Sequence, residues 1–184
     1  VLDTWDWNEI SFNEGVTIDM IEKYFNTEWA QWNWEWISLK PSLTMEIIEK
    51  YLDTEWAKWN WGAISENPNL TMEFIKKYPK KRWNWNSISS NLNITCEVIK
   101  NNPRRKWNWV EMSSNPNLTM EIIEKYPNKP WSWHGISSNP NLTMELIENN
   151  PDKPWNWYGI SQNLFTKEKE IFYQKWHRKY MAIF

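Results

Sequence analysis

The feature that most constrains this chain is the three-residue pattern Trp-x-Trp, which occurs seven times at almost constant spacing. From the pair at Trp5 to the pair at Trp155, the steps are 27, 27, 24, 24, 24 and 24 residues. A fixed period of this length is typical of stacked repeats, in which each unit buries its apolar side against its neighbours. With 18 Trp among 184 residues, the interior of such a stack must consist largely of indole rings.

Each unit divides into two short helices, of which the first, helix A, is expected to hold the Trp pair. In the unit at 152–162, Asp152 is a suitable N-cap and Pro154 suits the first helical turn. Trp155 and Trp157 would then leave the helix about 200° apart, one towards each neighbouring repeat. This favours indoles that connect the repeats over indoles that form an open stacking platform for bases or sugars.

Helix B is predicted to begin directly after a threonine that recurs in register. Threonine is a favourable N-cap, and an apolar residue before it, such as Leu43, can pack against Ile48 as a hydrophobic staple. Prolines end helix B in the later units, and Asn-Pro-Asn marks the turn between helices A and B. The predicted caps are Thr17, Thr44, Thr71, Thr95, Thr119, Thr143 and Thr166.

The first two units are three residues longer than the others and lack the proline stop. We expect helix B to continue there by about one turn and to place Trp29 or Trp56 over the stack. Residues 164–184 are amphipathic and lose the repeat pattern, so they are predicted to form a C-terminal capping helix. The chain begins almost at the first Trp without a matching cap, which favours a truncated array.

These patterns predict an all-α fold, a right-handed α-solenoid of about seven two-helix repeats of 24–27 residues, with the repeat array at 1–163. One cysteine, Cys96, excludes an internal disulfide framework and favours a reducing, intracellular setting. Cys96 stands where other repeats have Met, so we expect it to fill the core. No stretch of about 18 apolar residues is present to span a membrane, and no secretory signal is visible.

No catalytic pattern is apparent in the sequence. His134 and His177 lie far apart and have no spaced cysteine or histidine partner, so no metal site is predicted. Only four glycines are present, and none forms a phosphate-binding loop. We therefore predict a protein that is not an enzyme and has no cofactor, metal or small-molecule substrate.

Two surfaces are candidates for binding. The two positions after each Trp pair differ between repeats, and positions without a stacking role line an exposed face of a solenoid. Neutral variation of the surface is the alternative interpretation. The candidate contacts on this face are Trp36, Asn86, Glu111, His134 and Tyr158.

The second surface follows from an uneven distribution of charge. Residues 1–75 carry four Lys against fourteen Asp and Glu, whereas 76–106 carry nine Lys and Arg against one Glu. Two basic triplets occupy the same loop, between helix B and the next helix A, in successive units; they are Lys80, Lys81 and Arg82, and Arg104, Arg105 and Lys106. They predict a basic ridge for nucleic acid or an acidic protein, with a solvated edge as the alternative.

The stretch 115–133, Asn-Pro-Asn-Leu-Thr-Met-Glu-Ile-Ile-Glu-Lys-Tyr-Pro-Asn-Lys-Pro-Trp-Ser-Trp, resembles the tandem Trp-x-Trp repeats encoded by giant nucleocytoplasmic large DNA viruses of the mimivirus type. The resemblance covers about residues 5–163. It implies a viral repeat protein of the host cytoplasm or the virion, and it implies no activity.

Three hypotheses for function follow. The first is a non-enzymatic scaffold for protein–protein interaction. The second is a self-assembling structural or virion protein, in which the acidic first third contacts the basic middle of another copy head to tail. The third is nucleic-acid binding through the basic ridge at 76–106, which the overall pI of about 5.8 weakens.

Overall fold

The computed structural model describes residues 5–27 and 30–165. Over these ranges the chain forms thirteen short α-helices and no strand. Their bounds are α1 Trp7–Phe12, α2 Ile18–Tyr24, α3 Trp34–Leu39, α4 Met45–Lys50, α5 Trp61–Ile64, α6 Met72–Lys77, α7 Trp85–Ser90, α8 Cys96–Asn101, α9 Trp109–Met112, α10 Met120–Lys125, α11 Trp133–Ser137, α12 Met144–Glu148 and α13 Trp157–Gln162. Odd-numbered helices are A helices and even-numbered helices are B helices.

The predicted all-α repeat fold is confirmed by this strict alternation of A and B helices. The chain divides into two compact units, residues 1–93 and 94–184. Within the first unit α1 packs on α3 and α3 on α5, and within the second α11 packs on α13. Successive A helices therefore form one layer in each unit, while the right-handed twist stays a prediction.

The start of helix A differs from the prediction that it holds both Trp of the pair. Each A helix begins at the second Trp, and the residue between the two Trp is the N-cap, whose side-chain oxygen accepts backbone N–H groups of the first turn. Asp152, the predicted cap, instead lies exposed in the preceding turn. The observed caps are Asp6, Asn33, Asn60, Asn84, Asn108, Ser132 and Asn156.

The first Trp of each pair lies in the extended segment before helix A. In the 24-residue units its indole Nε1 donates a hydrogen bond to the carbonyl five residues earlier, at the end of helix B; Trp131 donates to Tyr126 over 2.9 Å. The same bond is formed by Trp83, Trp107 and Trp155. This hydrogen bond from the extended segment therefore fixes both the end of helix B and the orientation of the indole ring.

Indole rings connect successive repeats, as predicted. The second Trp of one repeat packs edge to face against the first Trp of the next, with ring centroids 4.8–5.2 Å apart. This is a favourable geometry for aromatic pairs. The pairs are Trp7 with Trp32, Trp34 with Trp59, Trp61 with Trp83, Trp109 with Trp131, and Trp133 with Trp155.

The threonine caps of helix B are confirmed at five positions, where the hydroxyl accepts the N–H three residues on. Thr119 forms no such bond, and Thr166 lies outside the described residues. Leu43 and Ile48, the two members of the predicted staple, are both fully buried. The confirmed caps are Thr17, Thr44, Thr71, Thr95 and Thr143.

The longer units do not extend helix B by a turn, so that prediction is wrong; α2 ends at Tyr24, only one residue beyond the repeat position at which α4 and α6 end. Helix α4 ends at Lys50, at the same repeat position as in the shorter units, and the three extra residues enter the loop that follows. Trp56 nevertheless packs over the stack, 5.0 Å from Tyr51, 5.4 Å from Phe25 and 5.9 Å from Trp34 between ring centroids. Trp29 and residues 166–184 of the predicted capping segment 164–184 lie outside the described residues, whereas Leu164 and Phe165 are described and are not helical.

A buried serine connects consecutive A helices. It lies four residues after the second Trp, donates its hydroxyl to the carbonyl of that Trp, and accepts the backbone N–H of the next repeat's N-cap; for Ser113 these distances are 2.7 and 2.9 Å. The other serines that accept this N–H are Ser11, Ser38, Ser65 and Ser137. The hydroxyls of Ser65, Ser113 and Ser137 therefore each satisfy two backbone groups that the stack removes from water.

A buried asparagine two residues after this serine connects the turns. Asn67 donates from Nδ2 to the carbonyls of Ser38 and Lys40 at 3.0 Å each, and its Oδ1 accepts the N–H of Asn69. In the second repeat Lys40 occupies the asparagine position; it is 6% exposed, and its Nζ lies 2.5 Å from the carbonyl of Asn13. Burial lowers the pKa of the Lys40 ammonium, partly offset by the charge of Glu14.

The cap assignment predicts a contrast between two neighbouring residues. Replacing Asn156 by Ala should lower the free energy of unfolding by about 1 kcal/mol, because the N–H of Gly159 loses its acceptor. Asn156→Ser should retain most of that stability, since Ser132 is a cap in the preceding repeat. Asp152→Ala should change stability by less than about 0.5 kcal/mol. Urea unfolding checks this, and an equal loss in Asp152→Ala would refute the assignment.

The serine contacts predict a position-dependent effect of one substitution. Ser113→Ala should cost about 1–3 kcal/mol, because the backbone N–H of Ser132 and the carbonyl of Trp109 lose a buried partner. Ser161 holds the same repeat position but is exposed, so Ser161→Ala is the matched control and should be nearly neutral. Similar losses in the two variants, measured by chemical unfolding, would contradict the role given to the buried hydroxyl.

Lys40 predicts a pH-dependent gain in stability. Lys40→Asn keeps an N–H donor towards the preceding repeat and removes the buried charge, so it should raise the free energy of unfolding by about 1 kcal/mol at pH 7. Since the folded pKa of Lys40 lies below its ordinary value of 10.5, the unfolded wild type binds more protons and its stability rises as the pH approaches 10.5. The gain should therefore shrink between pH 7 and pH 10 in urea unfolding, and a pH-independent difference would contradict this account.

Candidate interaction surface

In each unit the stacking contacts leave a row of helix A residues facing outward. The first position after each Trp pair, the second residue of helix A, is exposed in every repeat except at Gly62, which is half-buried. We call this set the N2 row; it consists of Asn8, Glu35, Gly62 and Asn86 in the first unit, and Val110, His134 and Tyr158 in the second. Three of the predicted contacts, Asn86, His134 and Tyr158, belong to it.

The next position packs on the preceding repeat in most units. A Cβ atom on Gly135 would lie 2.9 Å from Oγ of Ser114, and one on Gly159 would lie 2.7 Å from Oγ of Ser138. Ala63 is likewise buried. The prediction that both positions after the Trp pair line a free face is therefore wrong for the second position in these repeats.

Trp36 and Glu111 are exceptions, because both occupy the second position and are exposed. Trp36 packs edge to face against Phe12 of the preceding repeat, with ring centroids 5.1 Å apart. The two rings are 40% and 60% exposed, so they form an apolar patch next to Glu35. The surface is thus the N2 row extended by Trp36 and Glu111.

Two N2-row residues contact the N-cap of the following repeat. The amide of Asn33 donates to Oδ1 of Asn8 over 2.6 Å, and Nδ2 of Asn156 lies 3.4 Å from Nε2 of His134. Because helix A begins at these caps, the row lies beside rigid backbone. Tyr158 is the most exposed large residue of the row, with 76% of its surface accessible.

The basic triplets lie in the loops before α7 and α9, one in each unit. Lys80, Arg82, Arg104 and Lys106 are exposed, whereas Lys81 and Arg105 are half-buried. The Lys81 ammonium stands 4.7 Å from the centroid of the Trp61 ring, a cation–π contact.

The Lys81 contact recurs in the second unit. Lys129 stands 5.2 Å from the ring centroid of Trp109, and Lys153 stands 5.4 Å from that of Trp133. All three lysines lie two residues before a first Trp. Lys81 is therefore placed to stabilise the stack rather than to face a ligand.

Cys96 is half-buried and hydrogen-bonded, which differs from the expected core position. Its Sγ lies 3.1 Å from the carbonyl of Asn117 and 3.2 Å from the hydroxyl of Thr119. The corresponding Met45 and Met120 are buried. The hydroxyl that contacts this sulfur belongs to the one described threonine at a B-helix N-cap that forms no cap hydrogen bond.

Two exposed ion pairs connect successive B helices: Lys77 with Glu49 at 2.7 Å, and Lys100 with Glu121 at 2.5 Å. The Lys100 partner lowers the pKa of the Glu121 carboxyl, and Glu49 raises the pKa of Lys77. Such exposed pairs contribute little to stability. Within residues 5–27 and 30–165, no three His, Cys, Asp or Glu side chains are grouped to hold a metal ion.

No helix in the described ranges has the length and apolar character needed to cross a membrane. Comparison with family models, curated proteins and solved structures found no match for this chain.

Proposed function

We propose that this protein is a non-enzymatic repeat scaffold that binds a protein partner through the N2-row residues of each unit, extended by Trp36 in the first unit and by Glu111 in the second. The observation that supports it is that helix A has two kinds of position, those that contact neighbouring repeats and those that are exposed and vary. The second Trp and the buried serine recur and contact neighbouring repeats, whereas the N2 row varies in size, charge and polarity and is exposed at every position except Gly62.

The chemistry of the row suits protein recognition. Trp36, Val110 and Tyr158 are 40%, 49% and 76% exposed, although each would normally favour burial. Aromatic side chains on rigid elements are enriched among the residues that dominate interface energies. The row therefore offers apolar anchors between polar neighbours, as a partner-binding surface requires.

The proposed setting is the host cytoplasm or the virion of a giant DNA virus. It is supported by the resemblance of residues 115–133 alone. Self-assembly and nucleic-acid binding stay predictions.

A surface variant with a matched control tests the proposal. The N2 variant combines Trp36→Ala, Glu111→Ala, His134→Ala and Tyr158→Ala. The control combines Met20→Ala, Glu97→Ala, Glu124→Ala and Glu148→Ala, which are exposed on B helices. Alanine favours helix at all eight positions, so both proteins should fold like the wild type, as circular dichroism would verify.

We expect a partner isolated from host cells to bind the wild type and the control equally. Its affinity for the N2 variant should fall by about 30-fold or more, because loss of two or more aromatic anchors costs about 2 kcal/mol or more. Isothermal titration with the purified partner measures this. A partner that binds the N2 variant as tightly as the wild type would refute the proposed surface.

A further inference from the structure

The first unit contains an aromatic cavity of about 390 Å³ that the stacking of repeats does not explain. It lies beside the longer loop of the second repeat. Four aromatic side chains and two charged ones contribute to its wall: Phe25, Trp32, Trp34, Trp56, Glu55 and Lys58.

The rings of the wall meet at different angles. Trp56 stacks on Phe25 at an interplanar angle of 29° and lies tilted against Trp34 at 45°. Trp56 is half-buried and Phe25 is 39% exposed, so the cavity is open to solvent on one side. An aromatic face carries negative electrostatic potential, and several faces around one space attract a cation without supplying hydrogen-bond acceptors.

Other repeats show which chemical group the equivalent indole prefers. Three second Trp rings, those of Trp61, Trp109 and Trp133, are each covered by the ammonium of a lysine two residues before the following Trp pair. The corresponding residue for Trp34 is Ala57. No lysine among the described residues stands over the Trp34 ring. The chain's own cation is thus replaced at this position by an aromatic cavity.

Charge around the cavity also favours a cation. Residues 1–75 carry fourteen carboxylates against four lysines, and Glu55 belongs to the cavity wall. Lys58 opposes this locally, but it is exposed and its long side chain can extend into solvent. Long-range attraction of a positive ligand to the first unit follows from this imbalance.

We propose that this cavity binds a methylated ammonium group. Methyl groups give the cation an apolar surface that matches the rings, and a fully methylated nitrogen has no N–H that would lose a water partner on binding. A small quaternary amine and a trimethylated lysine side chain share this chemistry. The site uses none of the N2-row residues, so this proposal can be refuted without refuting the proposed partner surface.

Titration of the full chain with choline chloride, followed by calorimetry at constant ionic strength, tests the site. The matched control ligand is 3,3-dimethylbutan-1-ol, which has nearly the same shape and no charge. We expect choline to bind at least about tenfold more tightly than the neutral analogue, because only the cation gains from the ring faces. Equal affinity for the two ligands, or binding of neither choline nor a peptide that carries trimethyllysine, would overturn the proposal.

Three variants locate the binding. Trp56→Ala removes a wall ring and should weaken choline binding about tenfold or more. Ala57→Lys keeps every ring and supplies the lysine that stands over the equivalent ring in other repeats. Its ammonium should occupy the Trp34 ring and abolish choline binding, while the circular dichroism spectrum stays unchanged. Lys58→Gln removes the opposing charge and should tighten binding. Affinities for choline that are unchanged in both Trp56→Ala and Ala57→Lys would refute the site.

A peptide arm separates the two sources of the ligand. A peptide with one trimethyllysine is compared with the same peptide carrying unmodified lysine. Tighter binding of the methylated peptide than of choline assigns the cavity to a protein ligand, and the reverse assigns it to a small amine. Binding of neither, or equal binding of the two peptides together with no binding of choline, would exclude a methylammonium site.

Discussion

The edge-to-face contact between indoles of successive repeats is the interaction on which the other features of the structure depend. Its geometry requires the first Trp of a pair to approach from an extended segment, since only there can its Nε1 also reach the carbonyl that ends helix B. Helix A must then begin one residue later. The residue between the two Trp becomes the N-cap, and the short side chain of Asn, Asp or Ser follows from that role.

Helices of four to seven residues impose a second constraint. Each helix end leaves up to four backbone groups without an internal partner, so in these helices nearly every group is terminal. Such helices would not be stable alone in water. The buried serine and asparagine side chains solve this by bonding backbone groups of the neighbouring repeat. Stability therefore resides between the repeats more than within them.

Much of the architecture could be predicted from the sequence, because the signals were local and periodic. The Trp period indicated stacking, and the threonines with prolines bounded helix B. The predicted start of helix A is wrong because Asp152 with Pro154 is a plausible local start, whereas the signal that decides the start is tertiary. The indole of Trp155 must reach the carbonyl of Asn150. A cap residue at the middle of all seven pairs was the available clue.

The buried serines and asparagines that connect successive repeats could in principle also be detected from the sequence. Ser65, Ser113 and Ser137 recur in register, as do Asn67 and its equivalents, but a polar residue that recurs between two helices resembles ordinary turn chemistry. Their burial depends on how closely the repeats approach, which periodicity does not specify. The predicted free surface is too large for the same reason. The repeat position of Gly135 and Gly159 holds other residues elsewhere in the chain, and yet these two glycines lie against the preceding repeat.

The insertions show how a stack can acquire a new surface without changing its interior. In three of the 24-residue units the loop before the Trp pair places a lysine over the neighbouring indole, and the end of helix B offers a carbonyl to Nε1 of the first Trp. In the repeat of Trp59, three extra residues remove both contacts, because Ala57 replaces the lysine and Nε1 of Trp59 is buried without a hydrogen-bond partner. Trp56 instead covers Trp34, and the packing of Trp34 against Trp59 is retained. A change confined to one loop thus exchanges an internal cation for an aromatic cavity, and the stack itself is unchanged because the contact between the two indoles does not depend on that loop.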